Sequence, residues 1–301
     1  MGRPSPRDAG LLAVAVATIS TSAPLIAATA APALAIGFWR NALATVAIAP
    51  FALTRSRAEL FGLTRREARL ALVSGGLLAA HFATWVPSLR LTSVASSTAL
   101  VATQPVWAAL IARARGQQVP RTAWVGMSVA FAGVLTLTGV DLSLSTRALA
   151  GDLLALVGAV FAAAYVTVGS QVRQTVSTTT YTFACYGSCS VALLAVCLVG
   201  RQSLTGYDGS TWLKLVALTA GAQLLGHSLI NMALRRSSPT VVSMAILFEM
   251  PGAALIAALW LGQQPPAGVL PAAVLLLTGV AIAIRGGPAA PLTAPVEAPP
   301  G

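Results

Sequence analysis

The sequence predicts an all-α membrane protein with ten transmembrane helices, arranged as two five-helix repeats that are inverted relative to each other. Three observations lead to this fold class: an apolar composition, arginines that collect in alternate loops, and an internal repeat at an offset of 146 residues. Of the 301 residues, 56% are hydrophobic and only 9% are charged, whereas a soluble domain carries about 25% charged residues. The chain therefore lacks the polar groups to cover a water-facing surface, and we expect the lipid bilayer to be its main partner.

Ten apolar segments are long enough to form the predicted helices, because a spanning helix needs about 20 mostly apolar residues. The first repeat is predicted at 9–140 and the second at 149–285. We expect both terminal segments to be disordered. Residues 1–8 form a short polar segment, and residues 286–301 are rich in Pro and Ala. The ten segments lie at roughly 9–28, 32–53, 69–89, 94–113, 122–140, 149–171, 178–200, 211–233, 240–261 and 267–285.

The basic residues test the number and direction of these helices, because Lys and Arg concentrate in cytoplasmic loops. With ten spans and a cytoplasmic N-terminus, 14 of the 19 basic residues fall in the cytoplasm, four fall outside and Arg40 lies within a span. We therefore predict a multi-pass protein of the bacterial inner membrane with both termini in the cytoplasm. The net charge of +11 does not indicate nucleic-acid binding, because the arginines are dispersed between apolar runs and form no basic face.

The internal repeat appears when the chain is shifted along itself by 146 residues, which places 69–140 over 215–286 without a gap. The two histidines of the protein, His81 and His227, then coincide, and so do Pro105 and Pro251. Matches between such rare residues indicate a duplication. Because each copy holds five spans, an odd number, the second copy enters the membrane in the opposite direction, as in many secondary transporters.

Three segments resemble the EamA family of the drug/metabolite transporter superfamily: 38–44 (FWRNALA), 89–107 (LRLTSVASSTALVATQPVW) and 234–251 (LRRSSPTVVSMAILFEMP). The resemblance covers nearly the whole chain as two repeats. It implies export of amino acids, amines, drugs or related metabolites by alternating access, with spans 5 and 10 peripheral to a midplane cavity. One feature departs from the family: the helix after each signature ends in Gly-Gln, at 116–117 and 262–263, where the family usually has Gly-Glu.

Four ionisable side chains lie at bilayer depth, where such groups are costly and usually face a cavity or the interior of the bundle. Arg40 suits a substrate carboxylate or an acidic partner, and Glu249 suits a proton, a cationic substrate or Arg40 itself. His81 and His227 are symmetry mates, and a neutral imidazole both donates and accepts hydrogen bonds. A structural role, as a hydrogen-bond partner of a neighbouring helix, stays open as the alternative for each.

Polar and aromatic side chains complete the predicted site. A four-residue spacing predicts one polar stripe along the eighth helix, formed by Gln223, His227 and Asn231. Aromatic and amide side chains could form cavity walls, with packing as the alternative; these candidates are Trp85, Gln104 and Tyr165.

Two prolines and one aspartate lie at positions where a span could bend or begin. The mirrored prolines Pro105 and Pro251 each remove a backbone hydrogen bond and are predicted hinges, with a fixed kink as the alternative. Asp152 stands at the beginning of the sixth span, and we expect it at the membrane interface rather than in the site.

The sequence favours a transporter over two other classes, an intramembrane metal-dependent enzyme and a structural membrane protein without turnover. An enzyme would need a chemical motif, and neither HExxH nor GxSxG occurs. A structural protein would have a fully packed, dry interior. We therefore predict no enzymatic activity and no cofactor or metal, leave proton coupling open, and expect a small-molecule substrate and either a monomer or a homodimer.

Overall fold

The structure is a computed structural model that describes residues 6–234, 242 and 245–286. Every regular element in this part of the chain is a helix, so the all-α prediction is confirmed there. The first helix begins at Pro6, three residues before the predicted start of the first span. Residues 1–5 and nearly all of the predicted tail lie outside the described part, and disorder at the termini stays a prediction.

The first copy contains eight helices, because its first and fourth spans are each divided in two and one short helix lies in a loop. Only Thr21 separates the two parts of the first span, and residues 102–103 separate those of the fourth. The helices are α1 Pro6–Ser20, α2 Ser22–Ala28, α3 Ala33–Thr54, α4 Arg57–Phe61, α5 Arg65–Ser88, α6 Val94–Val101, α7 Gln104–Ala114 and α8 Arg121–Leu144.

The second copy differs from the first in its eighth span, which begins and ends as an α-helix but has a π-helix at Leu218–Gly226. The predicted ninth span has a break at residues 247–248, directly before the helix that begins at Glu249. The α-helices of this copy are α9 Thr146–Val172, α10 Thr178–Val199, α11 Gly209–Ala217, α12 His227–Leu234, α13 Glu249–Leu261 and α14 Val269–Gly286.

Eight helical segments in the described residues are long and apolar enough to cross a membrane. The apolar helices Glu249–Leu261 and Val269–Arg285 are shorter, and the beginning of the predicted ninth span at 240 lies outside the described residues. The eight segments are Ala9–Ala28, Ala33–Thr54, Arg65–Ser88, Val94–Ala114, Arg121–Asp141, Thr146–Val172, Thr178–Val199 and Gly209–Ile230.

The outer surface of the helices is apolar. Phe131 is 61% exposed, Leu259 is 79% exposed and Val199 is 87% exposed. Soluble proteins rarely present large apolar side chains in this way over much of their surface, whereas lipid contact makes such exposure favourable. The chain is therefore a multi-pass membrane protein.

Helices α8 and α14 pack closely and run antiparallel. A Cβ atom added at Gly126 would lie 2.7 Å from the Ala283 Cα, and one at Gly133 would lie 2.5 Å from the Leu276 Cα. Small residues at such an interface allow two backbones to approach each other within a membrane. The contacts repeat between the two copies. Gly133 packs on Leu276, and their counterparts at the repeat offset, Gly279 and Ala130, pack on each other as well.

At one end of the bundle, acidic side chains connect the two copies. Glu59 of α4 accepts a hydrogen bond from the Ser177 backbone N–H at 2.7 Å, and also from the Ser177 and Thr180 hydroxyls. Burial opposes the charged form of Glu59, but these hydrogen bonds outweigh burial and hold its pKa below the usual value. The carboxylate therefore fixes the beginning of α10 against α4. This end of the bundle, with Glu59, Ser177 and Thr180, is the Glu59 end.

At the opposite end, the copies meet through neutral groups. The Val94 backbone N–H at the start of α6 donates to the Gln263 Oε1 at 3.1 Å, just beyond α13. The Trp39 Nε1–H donates to the Leu204 carbonyl at 2.8 Å, and the Trp39 ring meets Trp212 edge-on with centroids 4.8 Å apart. This region, with Val94, Gln263, Trp39 and Leu204, is the Gln263 end.

Candidate functional site

Arg40 is the centre of the polar interior. It lies in the second turn of α3 and is only 3% exposed. Its Nε–H donates to the Gln223 Oε1 at 2.6 Å, and its guanidinium lies over the Phe82 ring, 4.5 Å from the centroid. The Gln223 amide in turn donates to the Asn41 Oδ1 at 3.2 Å. Three spans, the second, third and eighth, therefore hold this one cation in a fixed position.

One side of the Arg40 guanidinium has no acceptor, because its buried Nη1 forms no hydrogen bond. Leaving a buried charged donor unpaired costs considerably more than the net gain of an ordinary hydrogen bond. The rest of the fold must offset this loss of free energy. The unpaired Nη1 is then a strong donor that could bind an acceptor group of a ligand.

An aromatic wall lies next to Arg40 on α5. The His81 and Trp85 rings are stacked, with centroids 5.4 Å apart and an interplanar angle of 18°, and the Phe82 ring is 6.4 Å from the Trp85 ring. The His81 Nδ1–H donates to the Gly158 carbonyl at 2.9 Å, since a carbonyl can only accept. The Trp85 indole N–H is buried and has no acceptor, so it is a second unpaired donor on this wall.

The polar stripe predicted along the eighth span is only partly within the described residues, and a π-helix alters its spacing. The π-helix ends at Gly226, and its hydrogen bonds join residues five apart, so residues four apart no longer share a face. Gln223 is 3% exposed and bonds Arg40, whereas His227 is exposed. The side chain of Asn231, the third member of the predicted stripe, lies outside the described residues.

Glu249 is the first residue of α13 and is partly exposed. A carboxylate in this position interacts favourably with the positive end of the helix dipole. Arg40 acts electrostatically on Glu249 and on both histidines, so the four predicted ionisable residues are near one another. In the described part of the chain, Arg40 and Glu249 nevertheless form no direct ion pair.

The predicted prolines each follow a break in their span. Residues 102–103 interrupt the fourth span before Pro105, and residues 247–248 interrupt the ninth before Pro251. The repeat offset of 146 places residue 102 on residue 248, so the two breaks lie within one residue of equivalent positions. Whether these joints bend during function stays a prediction.

The remaining predicted wall residues are less central. Tyr165 is half-buried on α9 and interacts with Tyr181 and Tyr186, of which Tyr186 also interacts with Arg40. Gln104 is half-exposed at the beginning of α7, and no contact with Arg40 links it to the site among the described residues.

Sequence reasoning did not identify Asn41 and Phe82, which contact Gln223 and Arg40 directly. Asn41 is fully buried, and the same rule that singled out Arg40, a polar residue at bilayer depth, would have found it. Phe82 had no distinguishing signal, because an aromatic residue in an apolar helix is ordinary. Asp152 lies near the beginning of α9, and its side chain is completely buried within the protein; its position relative to the membrane interface stays a prediction.

A cleft of about 160 Å³ lies at the Gln263 end, lined by residues that include Ser93, Ala254 and Gln263. None of its lining residues belongs to the group around Arg40. Small-molecule sites usually have volumes of about 300 Å³ or more, so the cleft is small for a substrate.

Comparison with known proteins agrees with the fold and the repeat. The model of the EamA-like transporter family matches residues 9–139 and again residues 149–285. A solved structure, described as "Crystal structure of protein", is 19% identical with a TM-score of 0.62 and covers 92% of this chain and 96% of its own, which shows a shared fold. No curated protein matches the sequence. Since two copies of the family model span most of its length, the chain belongs to the EamA-like transporter family.

Proposed function

We propose that the protein is a secondary active transporter that exports small metabolites (amino acids, amines or drugs) by alternating access. The observation that carries this proposal is the buried Arg40, whose Nη1 has no acceptor in the middle of an otherwise apolar bundle. A structural arginine would be expected to satisfy its donors within the protein. Membership of the EamA-like transporter family supports the same function.

The proposed architecture is ten spans in two inverted repeats, with both termini in the cytoplasm. The antiparallel packing of α8 and α14 through equivalent residues supports a two-fold relation between the copies. The arginine distribution supports the direction of insertion, which makes the Glu59 end cytoplasmic and the Gln263 end external. The equivalent breaks before Pro105 and Pro251 would let each copy bend in the same way on opposite sides of the membrane.

The site suits a substrate that carries both a polar group and an apolar surface. The unpaired Arg40 donor would bind a carboxylate, and Glu249 would bind an amine or a coupling proton. The rings of His81 and Trp85 offer a flat surface for an apolar or aromatic side chain. A zwitterion with an apolar side chain would therefore use all three features at once.

Transport by purified protein in liposomes tests this proposal. A metabolite comparison between cells that lack the protein and cells that overproduce it would first identify the substrate. We expect Arg40→Gln, Glu249→Gln and His227→Ala each to lower the flux of that substrate by at least about tenfold, the effect of a loss of roughly 1.4 kcal/mol in binding. Arg147→Gln, an exposed arginine outside the site, is the matched control and should transport normally.

Two results would contradict parts of the proposal separately. Unchanged flux in both Glu249→Gln and His227→Ala would remove these residues from the site. A flux that does not respond to an imposed pH gradient would exclude proton coupling but leave the site intact.

A further inference from the structure

Two aspartates are buried together where α8 ends and α9 begins. Asp141 is 3% exposed near the end of α8, and Asp152 is 0% exposed in the second turn of α9. The two carboxylates interact with each other, and both interact with Thr92 in the loop after α5. This pair lies at the Gln263 end and includes none of the residues around Arg40.

Among the described residues, neither buried oxygen of the Asp152 carboxylate accepts a hydrogen bond of ordinary geometry, although the side chains of Thr92 and Asp141 lie beside it. The Thr92 hydroxyl donates instead to the Asp141 Oδ2, at 3.3 Å. The surrounding packing is tight: a Cβ atom added at Gly151 would lie 2.8 Å from the Thr92 backbone nitrogen and 2.9 Å from the Leu91 Cβ. A buried carboxylate in this condition is costly unless a positive charge or a proton accompanies it.

The arginines in the adjoining segments do not supply that charge. Arg147 in the first turn of α9 donates to the Arg90 carbonyl at 3.1 Å. Arg90 itself donates to carbonyls in the loop after α2, including that of Ala31 at 3.2 Å. The other helices packed on α9 do not supply a positive charge either. Helix α6 has no ionisable residue, and Arg113 of α7 is nearly a full helix length beyond Gln104. On α5, the His81 imidazole donates to the Gly158 carbonyl instead.

We propose that Asp141 and Asp152 bind one proton between them, as a carboxylic acid that donates to a carboxylate. Two adjacent carboxylates in a medium of low polarity repel each other strongly if both are charged. One proton removes a charge and also provides the donor that the Asp152 oxygens lack. A metal ion such as Ca²⁺ would need about six to eight oxygen ligands, and the Thr92 hydroxyl is the one side chain seen to add to the four carboxylate oxygens in the described residues.

This proton site is separate from the proposed transport site and would influence the Gln263 end. Thr92 directly precedes Ser93, whose hydroxyl accepts from the Ser96 backbone N–H and so caps α6. The next residue, Val94, donates the hydrogen bond to Gln263 that joins the copies. Loss of the proton would force the two carboxylates apart and disturb this loop, so proton binding would favour the contact between the copies.

Infrared difference spectra and thermal unfolding of the purified full-length protein test the site. At neutral pH, we expect the wild type to show the C=O stretch of a buried carboxylic acid that Asp141→Asn and Asp152→Asn each lose and that Glu249→Gln keeps. We also expect the apparent melting temperature of the wild type to fall as pH rises, because the proton is bound in the folded protein and is lost at high pH. The amide of Asp152→Asn can donate a hydrogen bond without binding an extra proton, so this variant should lack this component of the pH dependence.

The matched control is Asp208→Asn, which changes an exposed aspartate at the same end of the bundle. The pKa of Asp208 is about 2 because the Thr211 side chain lies beside its carboxylate, and because the Ser210 hydroxyl and the Thr211 backbone N–H donate hydrogen bonds to it. This variant should therefore keep the wild-type infrared band and the fall in melting temperature from neutral pH upwards, because Asp208 titrates only in acid. If Asp152→Asn does not fold, Asp141→Asn provides the same two measurements, the infrared band and the pH dependence of the melting temperature.

Two results would overturn the inference. One is a wild type without the carboxylic-acid band, or with a pH dependence that Asp152→Asn leaves unchanged. The other is a melting temperature that rises with Na⁺ or Ca²⁺ at constant pH in the wild type but not in Asp152→Asn, which would identify a metal-ion site instead. Neither outcome depends on the transport assay, so the proposed function is tested independently.

Discussion

The third and eighth spans descend from one duplicated segment, yet their shared histidines are in opposite environments. His81 is 8% exposed, bonds the Gly158 carbonyl and stacks on Trp85 in a continuous α-helix of 24 residues. His227 is exposed and directly follows a π-helix. The same residue at equivalent positions has therefore become part of a packed wall in one copy and an accessible side chain in the other.

The neighbours of the two histidines explain the difference. Leu77 and Phe82 of the third span correspond to Gln223 and Ser228 of the eighth. The third span thus presents apolar groups that pack, and the eighth presents polar groups that need partners. A π-helix widens the local turn and is frequent at functional sites. The third span therefore supplies a rigid surface, and the eighth span supplies Gln223, which contacts Arg40 directly.

The strongest test of this division is Gln223→Leu, which gives the eighth span the residue of the third. The substitution leaves the Arg40 Nε without its acceptor in a buried position, and we expect a loss of stability of about 3 kcal/mol because the abandoned donor is charged. Transport should be abolished, since Arg40 would no longer be held in place. Thermal unfolding in detergent and liposome flux measure the two effects.

The control for this substitution is Gln117→Leu, which makes the same chemical change at an exposed position. It should leave both the melting temperature and the flux near wild-type values. A Gln223→Leu variant as stable and active as this control would show that the contact with Arg40 is not important and that the two spans do not differ in the proposed way.

The sequence indicates which residues are candidates for this site but not the environment of each one. Arg40 and Glu249 were identified because charged residues at bilayer depth are rare, and that rule depends on composition alone. The π-helix was not predictable, because the apolar run at 218–226 suits an α-helix equally well. The surroundings of Asp152 include Thr92, which is distant in the sequence and reaches Asp152 only through tertiary packing.

A second, smaller effect is expected at the equivalent glycines Gly75 and Gly221. A Cβ atom at Gly75 would lie 2.6 Å from the Cys185 carbonyl oxygen, whereas one at Gly221 has only the Thr18 Cγ2, at 4.0 Å, within range. Gly75→Ala should therefore destabilise the protein by about 2 kcal/mol through overpacking. Gly221→Ala should be neutral or stabilise the helix by up to about 1 kcal/mol.

Thermal unfolding of the two alanine variants side by side is the measurement. Each serves as the control of the other, because the chemical change is identical and only the surroundings differ. Equal melting temperatures would mean that the third span is no more tightly packed than the eighth, which would contradict the division between a rigid copy and an adaptable one.

The smallest expected effect separates the two histidines themselves. His81→Phe keeps a flat ring for stacking on Trp85 but removes the hydrogen bond to the Gly158 carbonyl, so the stability should fall by about 1 kcal/mol. His227→Phe removes no hydrogen bond found in the described residues, and its stability should stay within about 0.5 kcal/mol of the wild type. Flux should show the reverse order, with the larger loss in His227→Phe, because an accessible imidazole is the one that a substrate or a proton can reach. If the two variants lost stability and flux in the same proportion, the histidines would still be functional equivalents, and the duplication would have preserved their role as well as their position.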